Sequence, residues 1–367
     1  MRFLVSPCAY KGTLSALQLC EAIARGIREA LPASEISMAP IADGGDGTLD
    51  ALHAAIGGEF HYVETVDAIG RPVRAKWLHI DQTAVVELAC ASGLATLLRD
   101  NKLNALQAHT YGLGQVTRDA LLTRPQYLFV CVGGSASTDG GAGMLTALGA
   151  EFLNERGQPV ELGGEHLSSV RSCNLKEVKR LIDASGVSSI KVAVDVDNPL
   201  LGDYGAAAVY GPQKGAGLEH VKLLNDGLTQ LAQVLEAEVG RECKDSPGAG
   251  AAGGTAFGVS IALGAEMISG FSWLSSVMNL EEKIRHCDVV ITAEGCLDDQ
   301  SMSGKALGEL AKLCKLYGKQ LWAVPAMAES DIDWKSQGVD KILTTSSHGK
   351  LADEMSVQAA AYDLCKL

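Results

Sequence analysis

The sequence predicts an α/β protein with two different α/β domains, one of them a mostly parallel, Rossmann-like sheet built from both termini. Three observations carry this reading. At both ends of the chain, apolar strand-like runs alternate with amphipathic helical segments, the order expected of a parallel sheet covered on both faces. In the middle, short segments separated by turn residues read as antiparallel hairpins. At 367 residues the chain is longer than most single cores, which favours two domains.

"MRFLVSP" is the first strand. "SALQLCEAIARGIREAL" follows, with Leu17, Cys20, Ile23 and Ile27 at helical spacing and a cap at Thr13 or Ser15. "EISMAPIADGGDGTLDALHAAIG" repeats the unit as strand, glycine turn and helix from near Thr48. "FHYVETVDAIGRPVRAKWLHIDQTAVVELA" then holds three short strands, with Gly70 and Pro72 marking the first turn. A further α/β stretch runs from the helix before Gln126 to "KVAVDVDNPLLG". "SPGAGAAGGTAFGVSIALGAEM" leads a glycine-rich turn into an apolar helix. The last part gives the strand "CDVVITAEG", the helix "GKALGELAKLCKLYG", the strands "KQLWAVPAM" and "DKILTTS", and a closing helix in "KLADEMSVQAAAYDLCKL". The two ends resemble each other more than either resembles the middle. The expected division is 1–65 with 285–367 as the Rossmann-like domain, and 66–284 as an inserted second α/β domain.

Composition excludes several classes. The net charge is −13 and no long basic run occurs, which argues against a nucleic-acid partner. A small anion held in a locally basic pocket stays compatible with it. No apolar run approaches the roughly 20 residues of a membrane span, and the N-terminus reads as a strand rather than a signal peptide. The expectation is a cytoplasmic protein with no membrane partner. The ten cysteines form no CxxC pair and mostly stand alone in apolar segments, as reduced structural thiols do. Homo-oligomerisation is left open.

Four glycine-rich turns recur where a strand is expected to finish: "ADGGDGT" (42–48), "GGSASTDGGAG" (133–143), "GPQKG" (211–215) and "GAGAAGG" (248–254). Glycine lets a ligand approach the main chain, and amides at a helix start make an anion site. None of the four matches GxxxxGK[ST], so a P-loop is not indicated. Phosphoryl transfer also needs cations and carboxylates near such amides. Lys11, Lys214 and Lys305, with Asp43, Asp46, Asp139, Asp195, Glu294 and Asp298, stand in turns that could supply them. Asp195 is singled out because it interrupts an apolar strand at an inward position, where an unpaired carboxylate is costly.

These motifs, with "ASGL" (91–94), "DVDNPLLG" (195–202), "YGPQKG" (210–215), "NLEEKI" (279–284) and "AEGCLDDQSMSGKA" (293–306), resemble the first family of glycerate kinases, the bacterial D-glycerate 2-kinase type. The matches span nearly the whole chain in the family's order. The resemblance implies two α/β domains with a cleft between them, ATP and Mg²⁺, and phosphorylation of D-glycerate to 2-phosphoglycerate, with a related small hydroxy acid or a ligand-binding, regulatory role as alternatives. It places nucleotide phosphate at Gly133, Gly134, Ser135, Gly140, Gly141, Gly253 and Gly254. Asp195, Lys214 and Asp298 become the catalytic candidates, with Asp195 and Asp298 also as metal ligands. Lys11, Asp43, Tyr111 and Cys296 become the acceptor-binding candidates.

The chain also departs from the family pattern. "SPCAYKGT" stands where the family has a sequence like APDSFKES. "TYGLGQ" (110–115) replaces SRGTGE, "TAEGCLD" replaces TGEGRxD, and "PAM" (325–327) replaces AGS. Tyr111 and Cys296 thus stand where arginines would grip a carboxylate by a two-pronged fork. Changes fall in loops suited to the acceptor while the phosphate-type turns persist. That pattern points to an altered acceptor preference or a weakened kinase.

Overall fold

The computed structural model describes residues 1–10, 12–42, 44–302, 306–345 and 352–367. Along the chain, β1 (Arg2–Val5) leads through the helix Ala16–Ala30 to β2 (Glu35–Met38) and the helix Thr48–Ile56. β3 (Glu59–Val66), β4 (Pro72–Ile80) and β5 (Thr83–Glu87) follow as a meander, and the helix Tyr111–Leu122 precedes β6 (Tyr127–Cys131). β7 (Glu151–Leu153) and β8 (Ser172–Asn174) form a small antiparallel pair. β9 (Ser189–Ala193) and β10 (Glu266–Ile268) flank a helical stretch that includes Leu218–Val239 and Thr255–Leu263. The chain ends with β11 (Val289–Thr292), β12 (Cys296–Leu297), β13 (Gln320–Ala323), β14 (Met327–Ala328), β15 (Lys341–Ile342) and the helix Glu354–Lys366.

Two compact units result. One comprises Met1–Asp43, Asp50–Gly57 and Gly270–Leu367; the other comprises Gly44–Leu49 and Gly58–Ser269. The first holds a five-stranded sheet in the order β15-β13-β11-β1-β2, with every pair parallel. Its strands are short apolar runs because both faces are covered. Phe3, Val5, Ile23, Ile291, Trp322, Val357 and Leu364 share one core there. The helix Ala16–Ala30 begins at Ser15, whose side chain and that of Gln18 cap each other's backbone amides, the reciprocal box that fixes a helix start.

The second unit holds a six-stranded sheet in the order β10-β9-β6-β5-β4-β3. β3, β4 and β5 are antiparallel neighbours, whereas β5, β6, β9 and β10 run parallel. Polar residues alternate along β3 and β4, while β6 is almost wholly buried. The parallel half aligns its carboxyl ends in one row: Glu87 opposite Cys131, Cys131 opposite Ala193, and Ala193 opposite Ile268. Ligands of open α/β sheets bind outside such ends. Among the described residues, no helix is long and apolar enough to cross a membrane.

Candidate active site

The row of strand ends in the second unit carries the glycine-rich turn 133–143. After β6 the chain enters 133–143, where Gly134, Gly140 and Gly141 have left-handed φ angles. The segment 248–254 packs directly on it. Gly140 N donates to Gly253 O at 3.0 Å, and Ser135 Oγ donates to Ala252 O at 3.2 Å. A Cβ on Gly253 would lie 2.1 Å from Ser137 O, so only glycine permits this contact. Much of the glycine content therefore serves the packing of one turn on the other. Several turn amides are also spent internally, since Gly133 N donates to Gly44 O and Gly141 N to Asp139 Oδ1.

Asp139 fastens this turn. It is fully buried, and its Oδ2 accepts from Thr110 N at 2.8 Å, Thr110 Oγ1 at 2.8 Å and Gly143 N at 3.1 Å. Thr110 Oγ1 in turn accepts from Met144 N. A carboxylate with this many donors caps and joins two helix starts. It thereby fixes the position of Tyr111, the first residue of the helix Tyr111–Leu122, which is half-buried and donates its amide to His109 Nδ1.

Lys214 lies beneath the turn, only 2% exposed. Its ammonium donates to Ser137 O and to Ser135 Oγ at 3.3 Å. Burial pushes Lys214 down to about 7, against the raising pull of Asp139. Thr138 Oγ1, buried in the same turn, has no hydrogen-bond partner among the described residues. A buried lysine that donates to neutral oxygens of a turn holding an unsatisfied hydroxyl is an arrangement that stability alone does not favour. It suits an anion brought to the turn.

Asp195 stands on the third loop of the row. The strand expected to contain it stops at Ala193, because its neighbours β6 and β10 end opposite that residue. Asp195 is accordingly a half-buried loop residue, not an inward position within a strand. Its Oδ1 accepts from Ser269 Oγ at 3.0 Å. The loop is tied to the glycine turns, since Gly250 N donates to Asn198 O at 2.9 Å. Tyr210 OH donates to Asn198 Oδ1 at 2.6 Å, which joins the segment bearing Lys214 to the same loop.

The glycine segments 211–215 and 248–254 do not follow strands as expected. Pro212–Lys214 is a 3-10 turn after the helix Ala206–Tyr210, with proline at its first position, where the missing amide costs nothing. The 248–254 segment instead follows the long helix Leu218–Val239 and opens the helix Thr255–Leu263.

The geometry also adds a residue that sequence reasoning missed. Glu87, 4% exposed at the end of β5, accepts from Gly47 N and Leu49 N, each at 3.0 Å. It docks the 44–49 turn, whose Asp46 lies so near Gly134 that a Cβ there would meet Asp46 Oδ1 at 2.5 Å. The signal was present, a lone carboxylate closing the apolar run "TAVVE", and it is the same signal that drew attention to Asp195.

In the first unit, the carboxyl ends of β1, β11 and β13 carry the remaining candidates. Cys296 is exposed and pairs with Met327 in the short parallel ladder of β12 and β14. Asp298 Oδ1 accepts from Ser301 N at 3.0 Å and Ser301 Oγ at 3.2 Å, a cap on the 3-10 turn Asp299–Met302. Lys11, Asp43 and Lys305 lie outside the described residues. Among the described residues, no three His, Cys, Asp or Glu side chains gather as a metal-binding group. A magnesium ion carried by a nucleotide needs only one or two protein carboxylates, and Asp195 is a half-buried carboxylate on this row of loops.

The glycerate kinase family model matches residues 3–365. The chain belongs to that family. It is 37% identical to the glycerate kinase of Halalkalibacterium halodurans, with 97% of this chain and 96% of that one covered. It is 35% identical to the glycerate 2-kinase of Escherichia coli K12, covering 100% and 96%. The crystal structure of a Salmonella typhimurium LT2 protein, named there as a candidate glycerate kinase 2, matches with a TM-score of 0.81. That match covers 100% of this chain and 97% of that one at 32% identity. Like the family's named members, the chain is an enzyme, a kinase.

Proposed function

We propose that this kinase phosphorylates D-glycerate to 2-phosphoglycerate, with ATP as donor and Mg²⁺ as its companion ion, in the cytoplasm. Likeness to a named glycerate 2-kinase along the whole chain supports the acceptor and the position of transfer. The structural observation that carries the reading is the buried ammonium of Lys214 under the 133–143 turn. Its charge favours an anion at this turn.

In this reading the glycerate hydroxyl attacks the γ-phosphorus, a new O–P bond forms, and the bond to the bridging oxygen breaks to release ADP. Phosphoryl transfer of this kind passes through a loose transition state, so positioning and charge stabilisation supply most of the rate. Lys214 and the turn 133–143, with Gly253 and Gly254 behind it, stabilise the phosphate oxygens. Asp195 orients the hydroxyl and takes its proton late in the transfer, with Ser269 fixing the carboxylate. Asp195 would also hold Mg²⁺, which would supply charge neutralisation on the transferring group, with Asp298 as the rival carboxylate for either role. Lys11, Asp43, Tyr111 and Cys296 are assigned to the acceptor.

A second reading, a kinase for a related small hydroxy acid, is favoured by Cys296, an exposed thiol where the family pattern has an arginine. A coupled assay with D-glycerate, L-glycerate, glycolate and tartronate decides between them. D-glycerate is expected to give the highest kcat/KM; a higher value with another acid would replace the first reading by the second.

A further inference from the structure

Three buried hydroxyls stitch the carboxyl edge of the sheet in the first unit. Ser6 Oγ donates to Ala39 O at 2.8 Å, beyond the end of β2. Thr292 Oγ1, at the end of β11, donates to Ser6 O at 2.9 Å. The third is Tyr10, 2% exposed, whose hydroxyl donates to Val324 O, the carbonyl just beyond β13. This last tie differs from the others. In the order β13-β11-β1, it carries the loop after β1 past the end of β11 to the far strand.

What it holds is the scaffold of one acceptor candidate, Cys296. Thr13 Oγ1 donates to Tyr10 O, and Tyr10 and Leu14 close the loop by a bridge. On the other side, Val324 leads into a segment laid along the loop after β11. Ala326 N donates to Glu294 O at 3.0 Å, Met327 N to Gly295 O at 3.1 Å and Glu329 N to Leu297 O at 3.0 Å. Cys296 sits inside that ladder. Movement of the Val324 carbonyl would therefore move Cys296 and Met327 together.

We propose that Tyr10 is a positioning residue for acceptor recognition, its hydroxyl setting the shared geometry of the loop after β1 and of the Cys296–Met327 ladder. This rests on the reading that this edge receives the hydroxy acid. Tyr10 touches no substrate in this account. It acts through the main chain at Val324, and its phenol, pushed up by burial, stays protonated and donating at neutral pH.

Tyr10→Phe removes the hydroxyl and keeps the ring that fills the core. Two readouts are taken on parent and variant. Amide hydrogen exchange is expected to accelerate at Ala326, Met327 and Glu329 and to stay unchanged at Phe3 to Val5 of β1. Steady-state kinetics are expected to show a KM for D-glycerate raised about three- to tenfold, the size of one lost neutral hydrogen bond, with the KM for ATP within about twofold. Unchanged exchange at 326–329 would overturn the tie. Accelerated exchange with an unaltered acceptor KM would overturn the positioning role. If the parent uses another acid of the panel in place of D-glycerate, the proposed function falls. The same comparison made with that acid still decides the role of Tyr10.

Discussion

Lys214 and Ser137 are joined by a hydrogen bond from a fully buried ammonium to a main-chain carbonyl of the 133–143 turn. The cation is thus part of the wall of the candidate phosphate site, and it supports the turn while lending it charge. Replacing it by a similarly long apolar chain separates these two contributions. Lys214→Met is expected to lower kcat by about 10²-fold or more, in the range seen when one electrostatic donor is removed, while folding is retained. Parent-like turnover in this variant would reduce Lys214 to a packing residue.

The same burial makes a prediction about pH. Folded Lys214 gives up its proton near pH 7, being pushed down to about 7 by desolvation, whereas an unfolded lysine keeps it to about 10.4. Between those values the unfolded state carries the extra proton, so this group makes stability rise with pH; below about 7 it adds no slope. Lys214→Met lacks this dependence. Urea midpoints at pH 7, 8 and 9 should show the parent gaining stability relative to the variant as pH rises. A difference that stays constant across this range would contradict the assignment.

Asp195 is tested by Asp195→Asn, which keeps the shape and the contact with Ser269. Turnover should fall by roughly 10²-fold, the usual size of a general-base contribution, with nucleotide affinity preserved. Partial rescue at high Mg²⁺ would mark it as a metal ligand instead. Near-parent turnover at both limiting and saturating Mg²⁺ would remove it from both roles and leave Asp298.

Glu87 holds the amides of Gly47 and Leu49 with its two oxygens. An amide offers one acceptor oxygen, so Glu87→Gln leaves one buried donor unpaired, at a cost of roughly 1–3 kcal/mol. Chemical denaturation should show that loss. A change below about 0.5 kcal/mol would mean that the 44–49 turn is held by other contacts.

Tyr111→Arg and Cys296→Arg restore the family's guanidinium groups. If these positions face the acid, either change should lower the KM for D-glycerate, and Cys296, being exposed, has room for the longer side chain. Unchanged or higher KM values in both single variants and in the double variant would place carboxylate recognition elsewhere.

Much of this architecture was legible in the sequence because it is written in local periodicity. Apolar runs and helical spacing gave β1, β11, β13 and the helices that follow them, and Ser15 with Gln18 announced the first helix start. Gly70 and Pro72 marked the turn between β3 and β4. The site was legible in its parts but not in its assembly. "GPQKG" pointed to Lys214, yet nothing local shows that its ammonium turns inward onto Ser137, 77 residues away. The bond from Tyr10 to Val324 spans 314 residues, and the Glu87 contacts with Gly47 and Leu49 likewise exist only once the sheet has formed. Asp298 shows the converse. Its place in a family-like motif drew a catalytic assignment, while the fold spends one of its oxygens on capping Ser301.

In the proposed reaction this chain transfers the γ-phosphoryl group of ATP to the 2-hydroxyl of D-glycerate. The most direct measurement is phosphorus and proton NMR of the complete reaction of D-glycerate, ATP and Mg²⁺ with purified enzyme. One 2-phosphoglycerate and one ADP are expected for each ATP consumed. An ester at the 3-hydroxyl, or no phosphoglycerate at all, would contradict it.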